Sequence, residues 1–150
     1  MRRWLAAWLP AVLWAGVIFG ASSIPGTQIP SVDLPQADKL AHLLVYAVLG
    51  ALLLRALRVR ARRQQAGRQT EEAQALLGWR HWRRQAGVAV LIATLYGVSD
   101  EIHQHWTPNR TPDWHDVVAD ALGGGLGTLA LVAMRWMKIR ACLMMGRSKS

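Results

Sequence analysis

Ionisable and hydrogen-bonding side chains recur in this 150-residue chain at corresponding ends of long apolar stretches. The set comprises Asp38, Lys39, His42, Tyr46, Tyr96, Asp100, Glu101, Gln104, Arg110, Asp116 and Asp120. An ionisable group beside hydrocarbon costs roughly 2.5 kcal/mol or more at the bilayer midplane, and less near the interface. A cluster of such groups therefore indicates a site that binds a ligand or performs chemistry.

Binding of an anion is the first chemistry that these residue types could perform. Lys39 and Arg110 are the cations of the set, and a guanidinium can hold a phosphate or a carboxylate through two parallel hydrogen bonds. Asp38, Glu101 and Asp116 could orient the two cations. The expected partners are membrane lipids, with a polyprenyl phosphate or another anionic lipid head group as the ligand.

Acid–base catalysis is the second possibility, with His42 as the base beside Asp38 or Glu101. The sequence contains no G-x-S-x-G and no H-E-x-x-H motif, so a standard serine or zinc mechanism lacks its parts. Ser99 is the one nucleophile that we would test. The sequence alone leaves open whether any reaction is catalysed.

A metal is conceivable but not required by the sequence. Hard cations prefer oxygen ligands, which Asp100, Glu101, Asp116 and Asp120 could provide together. Histidines at positions 103, 105 and 115 lie in or beside a predicted solvent-facing turn, which does not favour transition-metal binding. We therefore expect neither a metal nor a cofactor.

A purely structural interpretation stands beside these hypotheses. Asp38 could cap a helix, and Lys39 could extend its amine to the membrane surface. The whole cluster would then be an ion-pair network that fixes helix register in a non-enzymatic assembly or interaction protein.

Four predicted transmembrane helices must position these residues. Hydrophobic residues make up 52% of the chain, and the mean hydropathy is +0.13 although Lys and Arg total 18. About 20 helical residues cross a hydrocarbon core of about 30 Å. We predict an all-α, integral membrane four-helix bundle in a domain at 1–140, with helices at 4–22, 38–57, 86–104 and 116–137. An Arg-rich connection at 58–84 and a flexible tail at 141–150 complete the prediction.

Positive charge predicts the orientation of the helices. Nine Arg lie between positions 55 and 84, whereas the other two connections contribute only Lys39 and Arg110. Lys and Arg are retained on the cytoplasmic side, so both termini and the Arg-rich connection should be cytoplasmic and the polar cluster should face outward. We attribute the net charge of +9 to topology and expect no binding of nucleic acid.

The first apolar stretch could also be a cleaved signal peptide, with Arg2 and Arg3 before it and a small-residue site at 21–23. Its length exceeds the apolar core of about 7–15 residues that is typical of signal peptides, which favours a retained helix. Cys142 is the only cysteine, so no intramolecular disulfide can form.

Two further patterns concern backbone geometry. Pro108-Asn109-Arg110 predicts a turn in which Asn109 can take a positive φ. Gly123 and Gly127 have the small-xxx-small spacing that permits close packing of membrane helices, and they could also support a homo-oligomer.

The order of these motifs resembles the VanZ-like family of small bacterial membrane proteins. The matching residues are Asp38-Lys-x-x-His42-x-x-x-Tyr46, Tyr96-Gly-x-x-Asp-Glu-x-x-Gln104, Pro-x-Arg110, and Asp116 with Gly123 and Gly127. The chain departs from the family at Asn109, where Gly is common, and at Asp120, where Asn is frequent.

The resemblance implies a multi-pass protein of the bacterial cytoplasmic membrane that acts in the cell envelope. For the founding members of the family it implies an association with resistance to teicoplanin. The function expected from the residues and the resemblance together is binding, and possible processing, of an anionic lipid-linked or glycopeptide-related ligand at the outer leaflet.

Overall fold

The computed structural model describes residues 2–29, 36–65 and 71–147, with side chains described for residues 5–29, 36–59 and 82–137. It contains four α-helices: α1 (Arg2–Ser22), α2 (Ala37–Gln65), α3 (Glu71–Gln104) and α4 (Trp114–Arg147). A 3-10 turn, Gly26–Gln28, lies in the connection after α1. The described residues form no strand, so the predicted all-helical fold is confirmed.

Three of the helices contain segments long and apolar enough to cross a membrane: Leu5–Ser22, Ala37–Val59 and Trp114–Met137. The third helix is less apolar because its uncharged stretch, 86–99, ends at Asp100 and Glu101. It nevertheless presents exposed Leu91, Leu95 and Ile102 at helical spacing. That apolar stripe is the kind of surface that faces lipid. A fourth crossing by α3 and the orientation of the termini stay predictions.

The helices are longer than the apolar stretches predicted them to be. Both neighbouring helices extend into the predicted connection 58–84: α2 continues to Gln65, and α3 begins at Glu71. Between these two helices, the backbone of residues 66–70 is not described. Ala, Arg, Gln and Glu favour helix, so the chain needs no apolar face to extend both helices here. The fourth helix likewise continues to Arg147, so the backbone of the predicted tail 141–150 is helical through residue 147.

Contact between α2 and α4 is the most extensive in the bundle. Glycines make it possible: a Cβ on Gly123 would collide with the carbonyl of Leu43, and one on Gly127 would collide with the carbonyl of Ala47. The predicted close packing is therefore present, and it joins two helices of the same chain. The two glycines lie at this intramolecular contact, and a homo-oligomer through them stays a prediction.

The first helix is attached to α2 and α3 by specific hydrogen bonds as well as by apolar contact. Trp14 Nε1 donates to the carbonyl of Val45 over 2.9 Å, and the Tyr96 hydroxyl donates to the carbonyl of Ala15 over 2.6 Å. Ile18 is buried in the core of the bundle. Cleavage of the first helix as a signal peptide would remove each of these contacts; that the helix is retained stays a prediction.

We expect Gly127→Ala to destabilise the bundle by about 1–3 kcal/mol, because the added methyl group must displace the backbone of α2. Gly125→Ala is the matched control in the same helix, since a Cβ there meets no atom within 4 Å. This control should be neutral or stabilising by up to about 1 kcal/mol, because Ala favours helix more than Gly does. Thermal unfolding of both variants in one detergent would measure the difference. Equal melting temperatures for the two variants would contradict the α2–α4 packing.

Candidate functional site

One end of the bundle collects polar side chains from every helix. It is formed by the C-terminal ends of α1 and α3, the N-terminal ends of α2 and α4, and the turn that precedes α4; we call it the polar end. Buried polar residues there include Ser22, Asp100, Glu101, Gln104, Thr107, Asp116 and Asp120. A buried polar group requires a hydrogen-bond partner or a counter-charge within the protein.

Lys39 joins the start of α2 to the start of α4. Its ammonium donates to Asp113 Oδ2 over 2.8 Å and to Asp116 Oδ1 over 3.2 Å, and it also lies 3.3 Å from Asp38 Oδ2. The Asp116 side chain is only 9% exposed, whereas that of Asp38 is 62% exposed. Lys39 therefore pairs with Asp116 on α4 and with Asp113 directly before α4, so its amine is not free.

Asp113 is the partner of Lys39 that the sequence analysis missed. One of its carboxylate oxygens accepts from the backbone N–H of His115 over 2.9 Å, which is the bond of a helix N-cap. Its own backbone N–H donates to Glu101 Oε2 over 2.8 Å. The hydrogen bond from Lys39, followed by those from His115, holds the pKa of Asp113 well below its usual range. Its position directly before an apolar helix is a signal that could have identified it as a cap, whereas no local pattern identifies its cation.

His42 pairs with Asp120. The distance from His42 Nδ1 to Asp120 Oδ1 is 3.0 Å, and Asp120 is completely buried. Gly97 makes room for this carboxylate, because a Cβ at that position would collide with it. The carboxylate that hydrogen-bonds His42 is thus Asp120, whereas we had expected Asp38 or Glu101.

Asp100 fixes the end of α1 to the end of α3. Its Oδ2 accepts from the hydroxyl of Ser22 over 2.8 Å and from Gln104 Nε2 over 3.4 Å. Beside it, the hydroxyl of Ser23 lies 3.0 Å from His103 Nε2. The sequence predicts only that Ser22 ends the first helix or belongs to a cleavage site, whereas its bond to Asp100 follows from α1 lying against α3.

The two tyrosines of the predicted site lie deeper in the bundle. Tyr46 is 1% exposed, and its hydroxyl has no hydrogen-bond partner among the described residues. Its ring lies 6.2 Å from the ring of His42 on one side and 6.2 Å from that of Tyr96 on the other. Because the Tyr96 hydroxyl is bonded to α1, Tyr96 supports the helix packing and donates nothing to the carboxylates.

Arg110 follows a tight turn between α3 and α4. The N–H of Arg110 donates to the carbonyl of Thr107, and Asn109 has a φ of 57°, which confirms the predicted positive φ. Pro108 and Asn109 thus occupy the central positions of a type II-like turn. The guanidinium points back to α1, where it donates to the carbonyls of Ala21 and Ile24 over 3.4 Å each.

Two cavities open at the polar end. The first, of about 240 Å³, lies between α1 and α2, and the apolar part of its wall includes Ile18, Ala41 and Val45. Its polar lining is Ser22, Asp38, His42, Tyr46, Asp100, Gln104 and Arg110. The second, of about 400 Å³, lies between α3 and α4 beside the exposed Trp106 and Trp114, and Glu101 lines it.

The remaining candidates from the sequence have other roles. Ser99 is exposed and donates to the carbonyl of Tyr96 over 2.7 Å, so it lies outside both cavities. His115 is bonded to Asp113, and the His105 ring lies against Trp106. A metal could be held by a different set: ligand atoms of His42, Glu101 and Asp116 lie within 4.8 Å of one another.

Helical membrane proteins with a buried polar network at one end of the bundle are the class that this fold and site define. The VanZ/LLP1 family model matches residues 7–135, so the chain belongs to the VanZ/LLP1 family. No curated protein and no solved structure gives a significant match.

We expect Asp113→Asn to destabilise the protein at neutral pH, because Asn keeps the helix cap but removes the charge that pairs with Lys39. Asp113 has a lowered pKa in the fold, so its contribution to stability is complete above its unfolded pKa of about 4. It is lost as the pH falls from there through the lower folded pKa.

The difference in melting temperature between wild type and Asp113→Asn should therefore be present at neutral pH and should shrink as the pH falls below about 4. Asp113→Glu, which keeps the charge, serves as the control. If Asp113→Asn had the same melting temperature as the wild type at neutral pH, the ion pair between Asp113 and Lys39 would not stabilise the protein.

Proposed function

We propose that this VanZ-like membrane protein binds an amphipathic, anionic molecule of the cell envelope in the cavity between α1 and α2. The ligand class is a lipid-linked phosphate or a glycopeptide-related carboxylate. Its apolar part would lie against Ile18, Ala41 and Val45, and its anionic group would face Arg110. By the predicted topology, this cavity opens towards the outer leaflet.

The charge of Arg110 is the observation that carries this proposal. Among the described residues, Arg110 makes no ion pair, and its guanidinium makes two long hydrogen bonds, both to backbone carbonyls. A guanidinium has five N–H donors, so most of them are available to an anion. Lys39 differs, because its ammonium already contacts three carboxylates and does not line the cavity. We therefore transfer to Arg110 alone the role that the sequence suggested for both cations.

The acidic groups of the same cavity do not oppose such a ligand strongly. Asp100 accepts hydrogen bonds from Ser22 and Gln104, and Asp38 lies beside Lys39. Lys39 balances the charge of Asp38, and the neutral donors Ser22 and Gln104 both bond Oδ2 of Asp100, so these donors stabilise that charge without removing it. The uncharged donors of the lining, Ser22 and Gln104, could add hydrogen bonds to a head group.

Binding of this kind would suit a role in glycopeptide resistance, which we propose from family membership. A protein that occupies or shields an envelope precursor at the membrane surface would reduce its capture by an antibiotic. The proposal requires recognition of the ligand and no bond cleavage. His42 paired with Asp120 could act as a base. Among the described residues that line the cavity, however, Ser22 is the one serine, and there is no cysteine. The Ser22 hydroxyl donates its hydrogen bond to Asp100 and not to His42.

We expect Arg110→Gln to lose co-purifying anionic lipid, because Gln retains hydrogen-bond donors but not the charge. Ala41→Phe should have the same effect by filling the cavity from its apolar side. Arg84→Gln is the matched control, since Arg84 is exposed on α3 and lies 20 residues before the end of that helix at Gln104, far from the cavity. The measurement is mass spectrometry of lipids bound after mild detergent extraction. We expect a loss of at least about tenfold in the two cavity variants, which corresponds to about 1.4 kcal/mol. Wild-type lipid levels in both would refute the proposal.

A second candidate function, a structural ion-pair network in an assembly protein, is favoured by the three contacts of Lys39. Under that hypothesis Asp116→Glu keeps both the fold and the resistance phenotype, as would Arg110→Gln and Ala41→Phe. Under the binding proposal the last two variants fold but lose the phenotype. Resistance assays on folded variants would separate the two functions.

A further inference from the structure

We infer that His42, Glu101 and Asp116 form a binding site for one divalent metal ion at the polar end, between the cavity that His42 lines and the cavity that Glu101 lines. The inference does not depend on the proposed envelope ligand. It rests on the position of the ligand atoms, the burial of the carboxylates and the balance of charge.

The geometry brings three metal-binding atoms together from three helices. A ring nitrogen of His42 on α2 and one carboxylate oxygen each from Glu101 on α3 and Asp116 on α4 lie within 4.8 Å of one another. Atoms that each lie about 2.0–2.2 Å from a common ion fall within that mutual range. Glu101 is 6% exposed and Asp116 is 6% exposed, so neither is a solvated surface acid.

His42 has the environment of a metal-binding histidine. Metal-binding histidines commonly donate the second ring N–H to a carboxylate, which fixes the tautomer and the orientation of the ring. The pair between His42 Nδ1 and Asp120 Oδ1, at 3.0 Å, supplies that arrangement. With the proton on Nδ1, the lone pair of Nε2 is available to a metal.

Glu101 supplies an independent indication that a ligand is needed. Its Oε2 accepts the backbone N–H of Asp113, but its Oε1 is buried without a hydrogen-bond partner among the described residues. A buried carboxylate oxygen without a donor is costly, and a coordinated cation would remove that cost. Lys39 occupies only Oδ1 of Asp116, which leaves its other oxygen for the same cation.

The charge balance of the polar end also favours a bound cation. The described carboxylates there belong to Asp38, Asp100, Glu101, Asp113, Asp116 and Asp120, and the described Lys and Arg side chains are Lys39 and Arg110. Four of these carboxylates, those of Asp100, Glu101, Asp116 and Asp120, are buried, and buried negative charge in excess of the available cations favours binding of protons or further cations. One imidazole with two carboxylates is a mixed nitrogen and oxygen set, which suits Zn²⁺ or Mn²⁺ better than an oxygen-only ion such as Ca²⁺.

The test uses full-length protein in detergent, stripped with a chelator and then titrated with Zn²⁺ or Mn²⁺ alone at neutral pH. We expect one ion per chain by elemental analysis and a rise in melting temperature as metal is added, because a ligand that binds only the folded state stabilises it. His42→Ala and Glu101→Gln should bind metal at least about tenfold more weakly and should lose the thermal shift. His103→Ala is the matched control, since it removes a histidine of the same end that lies outside the trio, and it should behave as wild type.

Asp120→Asn tests the site even if the variants of the ligands themselves fail to fold. It leaves all three ligands in place and changes only the group that orients His42. It should weaken metal binding by about 10–100-fold. Arg110→Gln should bind metal normally, which separates this site from the proposed envelope ligand. The inference is overturned if wild type binds neither ion, or if His42→Ala, Glu101→Gln and Asp120→Asn all bind metal as wild type does.

Discussion

A carboxylate that lies beside hydrocarbon must find a hydrogen-bond donor or a cation inside the protein, and this requirement organises the polar end. Asp116 meets it through Lys39, Asp120 through His42, and Asp100 through Ser22. Each of these pairs joins two different helices. The pairs therefore set the register of the helices as well as neutralising the acids, and removing one partner would leave a buried charge behind.

Close backbone approach between α2 and α4 makes these contacts possible. Gly123 and Gly127 allow the second helix to approach the fourth at Leu43 and Ala47, one and two turns below Lys39. At that separation the side chains of Lys39 and His42 can reach carboxylates of α4. The small residues and the charged ones thus act together: without the glycines, the acids of α4 would be held away from their partners.

The sequence predicted the helices and the faces of the helices, because apolar length and a spacing of four residues are local properties. It also predicted the positive φ of Asn109, which follows from the chemistry of that residue in a turn. It could not predict which residues pair across helices, since that depends on rotation and depth. For this reason Asp113 and Ser22 were not recognised as members of the network, and the sequence left open whether Lys39 binds a ligand or pairs with carboxylates of the protein.

Convergence of the helix ends can be measured directly by the distance between two spin labels in reconstituted membranes. Labels at Gln36 and Trp114, both exposed, would mark the starts of α2 and α4 in a Cys142→Ser background. Neighbouring helices pack about 8–10 Å apart, so we predict a label separation below about 25 Å. A separation near or above the bilayer thickness of about 30 Å would place the two ends on opposite sides and contradict a single polar end.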